Sequence, residues 1–338
     1  MRDSKLFATV LVGAVALGLA LTGCSTPPSA AGSGAGAGAT TAGVKPVKVG
    51  LIMLQGDTYY QGIQSGLEAA VKADGGTVVT GLSNNDPATE NQVAQNMIQA
   101  KVDAILMQPT ADQASVATMK AIKTAGIKLI CYGNCVGPTT DPTLVDGVIQ
   151  SDNTALGTGT GDVAADYIKS KLNGTVNLAI LNCDIASACK LRKAGFLAAL
   201  KDKGVTVNIV TDQEGYLVDK ATPVATDILT AHPEVNMVWA SNEGGTAGAT
   251  IAVKQAGKSV PVFGTDISTQ LGQFVLAGDN VLQATTGQDP VGTAQGAYKM
   301  AKNALAGAAN NPLSVQLPGI VYDRANPKTT NDFLSSQH

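Results

Sequence analysis

The residues best equipped for chemistry stand at the ends of short apolar runs. Asp57, Tyr59 and Tyr60 follow the run from Val47 to Leu54, and Gly133 and Asn134 follow Lys128 to Tyr132. Farther along, Asn182 and Arg192, then Tyr216, Asn242, Asp266 and Gln288, hold the same kind of place. An ionised carboxylate only accepts hydrogen bonds, a guanidinium donates from a planar fork, and a carboxamide does both, as a hydroxyl does. Tyr59, Tyr60 and Tyr216 add flat faces on which a C–H surface can rest. Together they form an inventory for recognising a small polyhydroxylated solute. Asp266 and Asn242 have a blander reading as helix caps, a position that Asp and Asn favour. Recurrence at successive run ends argues for the first reading.

Catalytic equipment is sparse. The chain has two histidines. His232 stands before Pro233 at the end of a helical run, where a cation meets helix carbonyls, and His338 is the last residue. A Ser-His-Asp triad or a His-rich metal centre needs a central, oriented imidazole. Gly157-Thr158-Gly159-Thr160-Gly161 lacks the Lys-Ser/Thr of a phosphate loop and falls inside a helical run. It reads as small residues that let two helices approach. Leu54 to Tyr60 contains no Gly-x-Gly, so no nucleotide fingerprint follows the first run. The chain reads as a binding protein without cofactor or metal, not as an enzyme.

The elements that must position these residues alternate. β-branched runs at 47–54, 78–82, 104–107 and 128–132 are separated by helical runs at 59–73, 88–99 and 111–124, with a further strand at 145–150. The pattern then restarts: helices at 154–172, 186–202, 221–231, 246–255 and 291–305 alternate with strands at 177–181, 205–211, 237–240, 261–264 and 281–285. A tail follows Pro312. Strands alternating with helices of ten or more residues imply parallel sheets wound by right-handed crossovers. The predicted fold class is therefore α/β, with two Rossmann-like doubly wound lobes meeting near Gln150. Such sheets take ligands at the carboxyl ends of their strands, where the polar inventory lies.

The ends fix compartment and partners. Arg2 and Lys5 precede an apolar run from Leu6 to Leu21; a basic start and a short apolar stretch mark a secretory signal peptide, expected over residues 1–23. Leu21-Thr22-Gly23-Cys24 resembles a bacterial lipobox, in which Cys24 would be acylated, with palmitate for example. Residues 24–46 are almost wholly Gly, Ala, Ser, Thr and Pro, a composition that reads as a flexible tether. About 290 residues remain, enough for two lobes. A net charge of −3 without a basic block argues against nucleic acid as partner. Five Phe and one Trp argue against a broad aromatic protein interface, so a monomer is expected. With Cys24 set aside, Cys131, Cys135, Cys183 and Cys189 remain, an even count in an oxidising compartment. Their spacings lack the CxxC knuckles of zinc sites, and three disulfide pairings are open.

With these residues in view, the chain resembles the ribose- and galactose-type periplasmic binding proteins, the sugar-binding subunits of ABC importers. The resemblance covers roughly Val47 to Gly307. It rests on ordered motifs: Asn85-Asp86-Pro87-Ala88, Gln108-Pro109-Thr110-Ala111-Asp112, Ser151-Asp152-Asn153, Ala231-His232-Pro233, Trp239-Ala240-Ser241-Asn242-Glu243, Gly264-Thr265-Asp266 and Gly287-Gln288-Asp289-Pro290. In that family an Asn-Pro-Phe-Phe segment follows the first strand; here Asp57-Thr58-Tyr59-Tyr60 matches it. The family's second-lobe arginine matches Arg192, its next-loop aromatic Tyr216, and its Asn, Asp and Gln match Asn242, Asp266 and Gln288. The ribose group's Asp-Arg pair after the fourth strand is replaced by Gly133-Asn134, which implies a ligand other than ribose.

The resemblance further implies a hinge of three segments, near Gln150, Gln288 and Gln316. An N-terminal lobe would comprise 47–150 with 289–316, and a C-terminal lobe 151–288 with 317–338. It implies capture of a small sugar or sugar alcohol by hinge closure and delivery to membrane permease subunits. The protein would be lipid-anchored on the outer face of the cell membrane, or facing the periplasm. A ligand sensor for a signalling system is the alternative on the same fold. Because the cleft must open, the resemblance favours local bridges, Cys131–Cys135 and Cys183–Cys189, over any that would staple the lobes.

Overall fold

A computed structural model describes residues 46–56, 58–111, 113–136 and 143–336. The expected leader, Cys24, nearly all of the tether, Asp57 and His338 lie outside the described residues. The chain runs β1 (Lys48–Met53), α1 (Thr58–Ala73), β2 (Thr77–Leu82), α2 (Pro87–Gln99), β3 (Ala104–Met107), α3 (Ser115–Thr124), β4 (Lys128–Tyr132) and β5 (Gly147–Ser151). It continues with α4 (Asn153–Lys171), β6 (Thr175–Asn182), α5 (Ser187–Asp202), β7 (Thr206–Glu214), α6 (Val218–Ala231) and β8 (Met237–Ala240). Next are α7 (Glu243–Gln255), β9 (Val262–Thr265), α8 (Thr269–Leu276) and β10 (Leu282–Gly287). Last come α9 (Pro290–Leu305), β11 (Ser314–Leu317), β12 (Ile320–Asp323) and α10 (Pro327–Ser335).

Two six-stranded sheets result, in the orders β11-β5-β4-β3-β1-β2 and β12-β10-β9-β8-β6-β7. All pairings are parallel except β10 with β12. Both faces of each sheet are covered, as parallel sheets require. In β1, Val49, Leu51 and Met53 enter one apolar cluster, beneath α1 and α9, while Ile52 enters the cluster on the opposite face. In β6, Val176, Leu178 and Ile180 point to one side and Ala179 and Leu181 to the other. The two-residue period of a strand divides each run between two cores. The architecture is the expected α/β fold of two doubly wound sheets.

The chain passes between the sheets three times: after β5, after β10, and between β11 and β12. Apart from these passages, the helices and strands that pack closely do so within one half of the molecule. Caps fix the helix starts at the cleft-facing strand ends. Asp86, Asp152, Asn242, Ser268 and Asp289 each accept a hydrogen bond from a backbone N–H in the first turn of the following helix.

Several elements differ from the sequence reading. The helix expected from Ala111 starts at Ser115, because the Ala111 N–H bonds to Ser115 Oγ at 3.1 Å and holds an open turn. The helix expected from Ala221 starts at Val218 and carries Pro223 inside it. The short helix α8 was not anticipated, and the supposed tail after Pro312 forms β11, β12 and α10. The glycine run of α4 meets α5: a β-carbon on Gly157 would stand 1.8 Å from the Arg192 carbonyl oxygen, and one on Gly195 2.1 Å from that of Thr154.

Candidate ligand cleft

Arg192 leaves the first half of α5 and gathers three elements. Its Nε donates to Asn153 Oδ1 at 3.0 Å, at the start of α4. Its Nη1 donates to the Ser241 carbonyl at 3.2 Å, just past β8, and to Asp266 Oδ2 at 2.9 Å, just past β9. Asp266 itself adopts φ +72°, a left-handed backbone that side chains rarely take. Backbone and side-chain bonds hold it there: its N–H donates to Thr286 at 2.9 Å and its carbonyl accepts from Thr285 Oγ1 at 2.6 Å. Oδ2 also accepts the Glu243 N–H at 3.2 Å, whereas Oδ1 is shielded from solvent and has no hydrogen-bond partner among the described residues.

Asn242 does cap α7, its Oδ1 accepting the Gly245 N–H at 3.1 Å. It also reaches outward, Nδ2 donating to the Tyr216 carbonyl at 2.9 Å. Gly244 makes that approach possible, since a β-carbon there would lie 2.2 Å from the same oxygen. Tyr216, Asn242, Ser241, Arg192 and Asp266 thus form one connected assembly.

In the other half Tyr59 is partly buried and Tyr60 buried, with ring centroids 5.2 Å apart and planes at 84°. Tyr60 packs into the core and its hydroxyl donates to Gln108 Oε1 at 3.1 Å. Behind them Tyr132 donates to the Ile52 carbonyl at 2.9 Å. Burial pushes the Tyr132 phenol well above its ordinary range, and Tyr60 and Tyr59 add to the effect. Gly133, at φ +72°, lies against Gln108; a β-carbon there would come within 2.4 Å of Gln108 Oε1. The loop carrying Gln108 is fixed by the fully buried Glu90, whose Oε2 accepts the Thr110 N–H at 2.7 Å and Ser115 Oγ at 3.0 Å.

A cleft of about 810 Å³ joins the two sides. Tyr59 and Gln61 of α1 line it, with Asp266 and Ser268, Gln288 and Asp289, Tyr322 of β12 and Phe333 of α10. Gln288 Oε1 accepts Ser151 Oγ at 2.9 Å, tying two of the inter-sheet passages together. Of the candidate residues, Tyr59, Asp266 and Gln288 lie on the cleft wall. Arg192, Asn242 and Tyr216 join Asp266 through the assembly above, and Tyr60 and Gly133 meet at Gln108. Asn134 is exposed. Gln108, Asn153 and Ser241 were not singled out as site residues in the sequence, although all three stand in quoted motifs; Ser241 bonds Arg192 through its carbonyl, which leaves no side-chain signal.

Cys131 pairs with Cys135 around Gly133 and Asn134, and Cys183, in the loop before α5, pairs with Cys189 in the first turn of that helix. Lys193, next to Arg192, bonds to Asp184 and to Asp212, the latter at 2.8 Å. Burial works to lower its pKa, but the hydrogen bonds to the two carboxylates outweigh it and hold the amine above its ordinary value. Among the described residues no group of three or more His, Cys, Asp or Glu could hold a metal ion.

This arrangement has known counterparts. Residues 49–309 match the family described as "Periplasmic binding protein domain". The Escherichia coli ABC transporter periplasmic-binding protein YphF is 31% identical over 246 residues, 71% of this chain and 74% of that protein. The Bacillus subtilis ribose import binding protein RbsB is 26% identical over 234 residues, 69% of this chain and 72% of that one. Among solved structures, an ABC transporter solute-binding protein of Actinobacillus succinogenes with bound D-allose superposes with TM-score 0.70. It is 24% identical, and the match covers 84% of this chain and 99% of that one. The match over most of the body, joined to paired wound sheets around a polar cleft, settles the kinship: the chain belongs to the periplasmic binding protein family, whose members bind solutes for ABC transporters and are not enzymes.

Proposed function

We propose that the protein captures a small sugar or sugar alcohol in this cleft and delivers it to the permease of an ABC importer. The observation that carries the reading is Asp266. One carboxylate oxygen is held by Arg192 and the Glu243 N–H, while the other, on the wall of a polar cleft, is shielded and has no hydrogen-bond partner among the described residues. A buried acceptor without a donor is costly, and a ligand hydroxyl supplies the missing donor. Tyr59 would offer a ring face, Gln288 an amide, and Arg192, Asn242 and Tyr216 the support behind them. Tyr60, Gly133, Asn134 and Asp57 complete the candidate set on the opposite side. Named relatives that bind ribose or carry D-allose support the ligand class.

Residues 47–150 with 289–316 would move as one lobe, and 151–288 with 317–338 as the other. The confinement of close packing to each half supports that division. Closure is then a population shift, driven only by contacts that the ligand makes better in the closed state. Cys24 would carry lipid and residues 24–46 would tether the body to the outer face of the membrane. A melting screen against ribose, allose, galactose, arabinose, inositols and pentitols tests the reading. A ligand at 100 times its Kd raises stability by about 2.7 kcal/mol. No shift from any member of the panel would overturn the proposal.

A further inference from the structure

We propose that α10 builds a second subsite of the cleft, which holds a neutral glycosyl substituent on the bound sugar or polyol; the inference rests on the sugar-binding reading above. The family match ends at residue 309, so α10 lies beyond it. The helix packs on α8 and β12. Leu334 Cδ2 sits 3.0 Å from where a β-carbon on Gly272 would be, and Phe333 meets Tyr322 edge-on at 5.5 Å. So anchored, α10 turns Thr329, Asp332 and Phe333 to the cleft, with Ser336 just past its end.

Those four residues follow the spacing i, i+3, i+4, i+7, which makes one helical face. From the other half, α1 presents Thr58, Gln61, Gly62 and Ser65 to the same cleft, with the same spacing. The two facing stripes offer hydroxyls, an amide, a carboxylate and one aromatic ring, the groups that recognise a second sugar ring. No Lys, Arg or His lies among the described residues that line the cleft, whereas Glu243, Asp289 and Asp332 do. An anionic substituent such as a phosphate or a uronate is therefore disfavoured. The volume of about 810 Å³ falls toward the upper end of the roughly 300–1,000 Å³ typical of pockets for drug-sized ligands. A single monosaccharide leaves much of it empty. Because α1 and α10 belong to different halves, a substituent lodged between them would add contacts that favour closure.

The test is calorimetry on the whole protein with paired probes, each a parent and its glycosylated form: D-galactose and galactobiose, myo-inositol and galactinol, D-xylose and xylobiose. Thr329→Trp and Ser65→Trp, each filling the groove from one wall, are measured beside wild type. The expected result is that in at least one pair the substituted member binds about tenfold tighter, and that both Trp variants erase the gain while leaving the parent's Kd unchanged. A parent that binds as well as or better than its glycoside overturns the subsite and leaves the sugar-binding reading standing. Equal loss of both members in the Trp variants also overturns it, marking α10 as a wall needed for closure alone. If none of the six probes binds, the subsite proposal falls, and the sugar-binding reading stands or falls on the wider melting screen.

Discussion

The backbone carbonyl of Arg192 occupies the place that a side chain on Gly157 would need: a β-carbon there stands 1.8 Å from the oxygen. The guanidinium can reach Asp266 and Ser241 only because α4 yields this space to α5. Gly157→Ala should cost about 1–3 kcal/mol through overpacking and displace Arg192, weakening ligand binding as well. Gly278→Ala, where nothing lies within 4 Å of the added atom, should stay within about 0.5 kcal/mol. Equal melting temperatures for the two variants would show that α4 and α5 are not in tight register.

Arg192 and Asp266 should behave as one unit. Removing either leaves its partner's hydrogen-bonding capacity unmet, at about 1–3 kcal/mol for each single change to alanine. The double variant should lose less than the sum. Chemical denaturation of the four proteins measures the coupling; strict additivity would contradict the pairing.

The loop bridge Cys183–Cys189 should matter more for binding than for folding. A bridge spanning six positions contributes about 2 kcal/mol by loop entropy, but its loop leads directly into the turn that carries Arg192. Replacing both cysteines with serine should lower the melting temperature modestly and the sugar affinity disproportionately. Unchanged affinity would remove the positioning role.

Asp86 gives a pH signature. Its side-chain bond to Thr89 Oγ1, then the bond from the Thr89 N–H, hold its pKa below the usual 3.8. A lowered folded-state pKa stabilises the protein above the unfolded value, and that contribution is lost as pH falls through the folded one. Wild type should therefore melt above Asp86→Ala at pH 7, with the gap closing progressively below pH 3.8. A gap that persisted unchanged in strong acid would rule out the ionised cap.

The proposed lipid attachment at Cys24 should be separable from binding. Cys24→Ser should release the protein into the soluble fraction with its sugar affinity intact, as read by fractionation and calorimetry. Retention on membranes to the wild-type extent would contradict anchoring through this residue.

The sheets were legible because their inner strands are almost wholly apolar; Ala104–Met107 and Met237–Ala240 bury every residue. The missed elements are short or half-exposed. Ser314–Leu317 and Ile320–Asp323 are four-residue edge strands with few fully buried positions, and α8 carries Gly272 in mid-helix. In the candidate site, Arg192 and Asp266 were legible from their places after strands. Gln108 was not, since its role depends on Gly133 and Tyr60, brought to it by neighbouring strands. Asn242 supports both of its readings at once, as a helix cap and as the tie to Tyr216.

The first sheet is not built from one stretch of chain. Its edge strand β11 pairs with β5 through Ser314 and Val148, and Ala294, Ala297 and Tyr298 of α9 share a core with Val49 and Leu51. A chain made from its N-terminus therefore cannot finish its first core until five of the six strands of the second sheet, β6 to β10, have been synthesised. Contacts so distant in sequence carry a large closure entropy and slow the folding rate. A nascent polypeptide held open in this way stays threadable, which suits a member of a family exported to the periplasm.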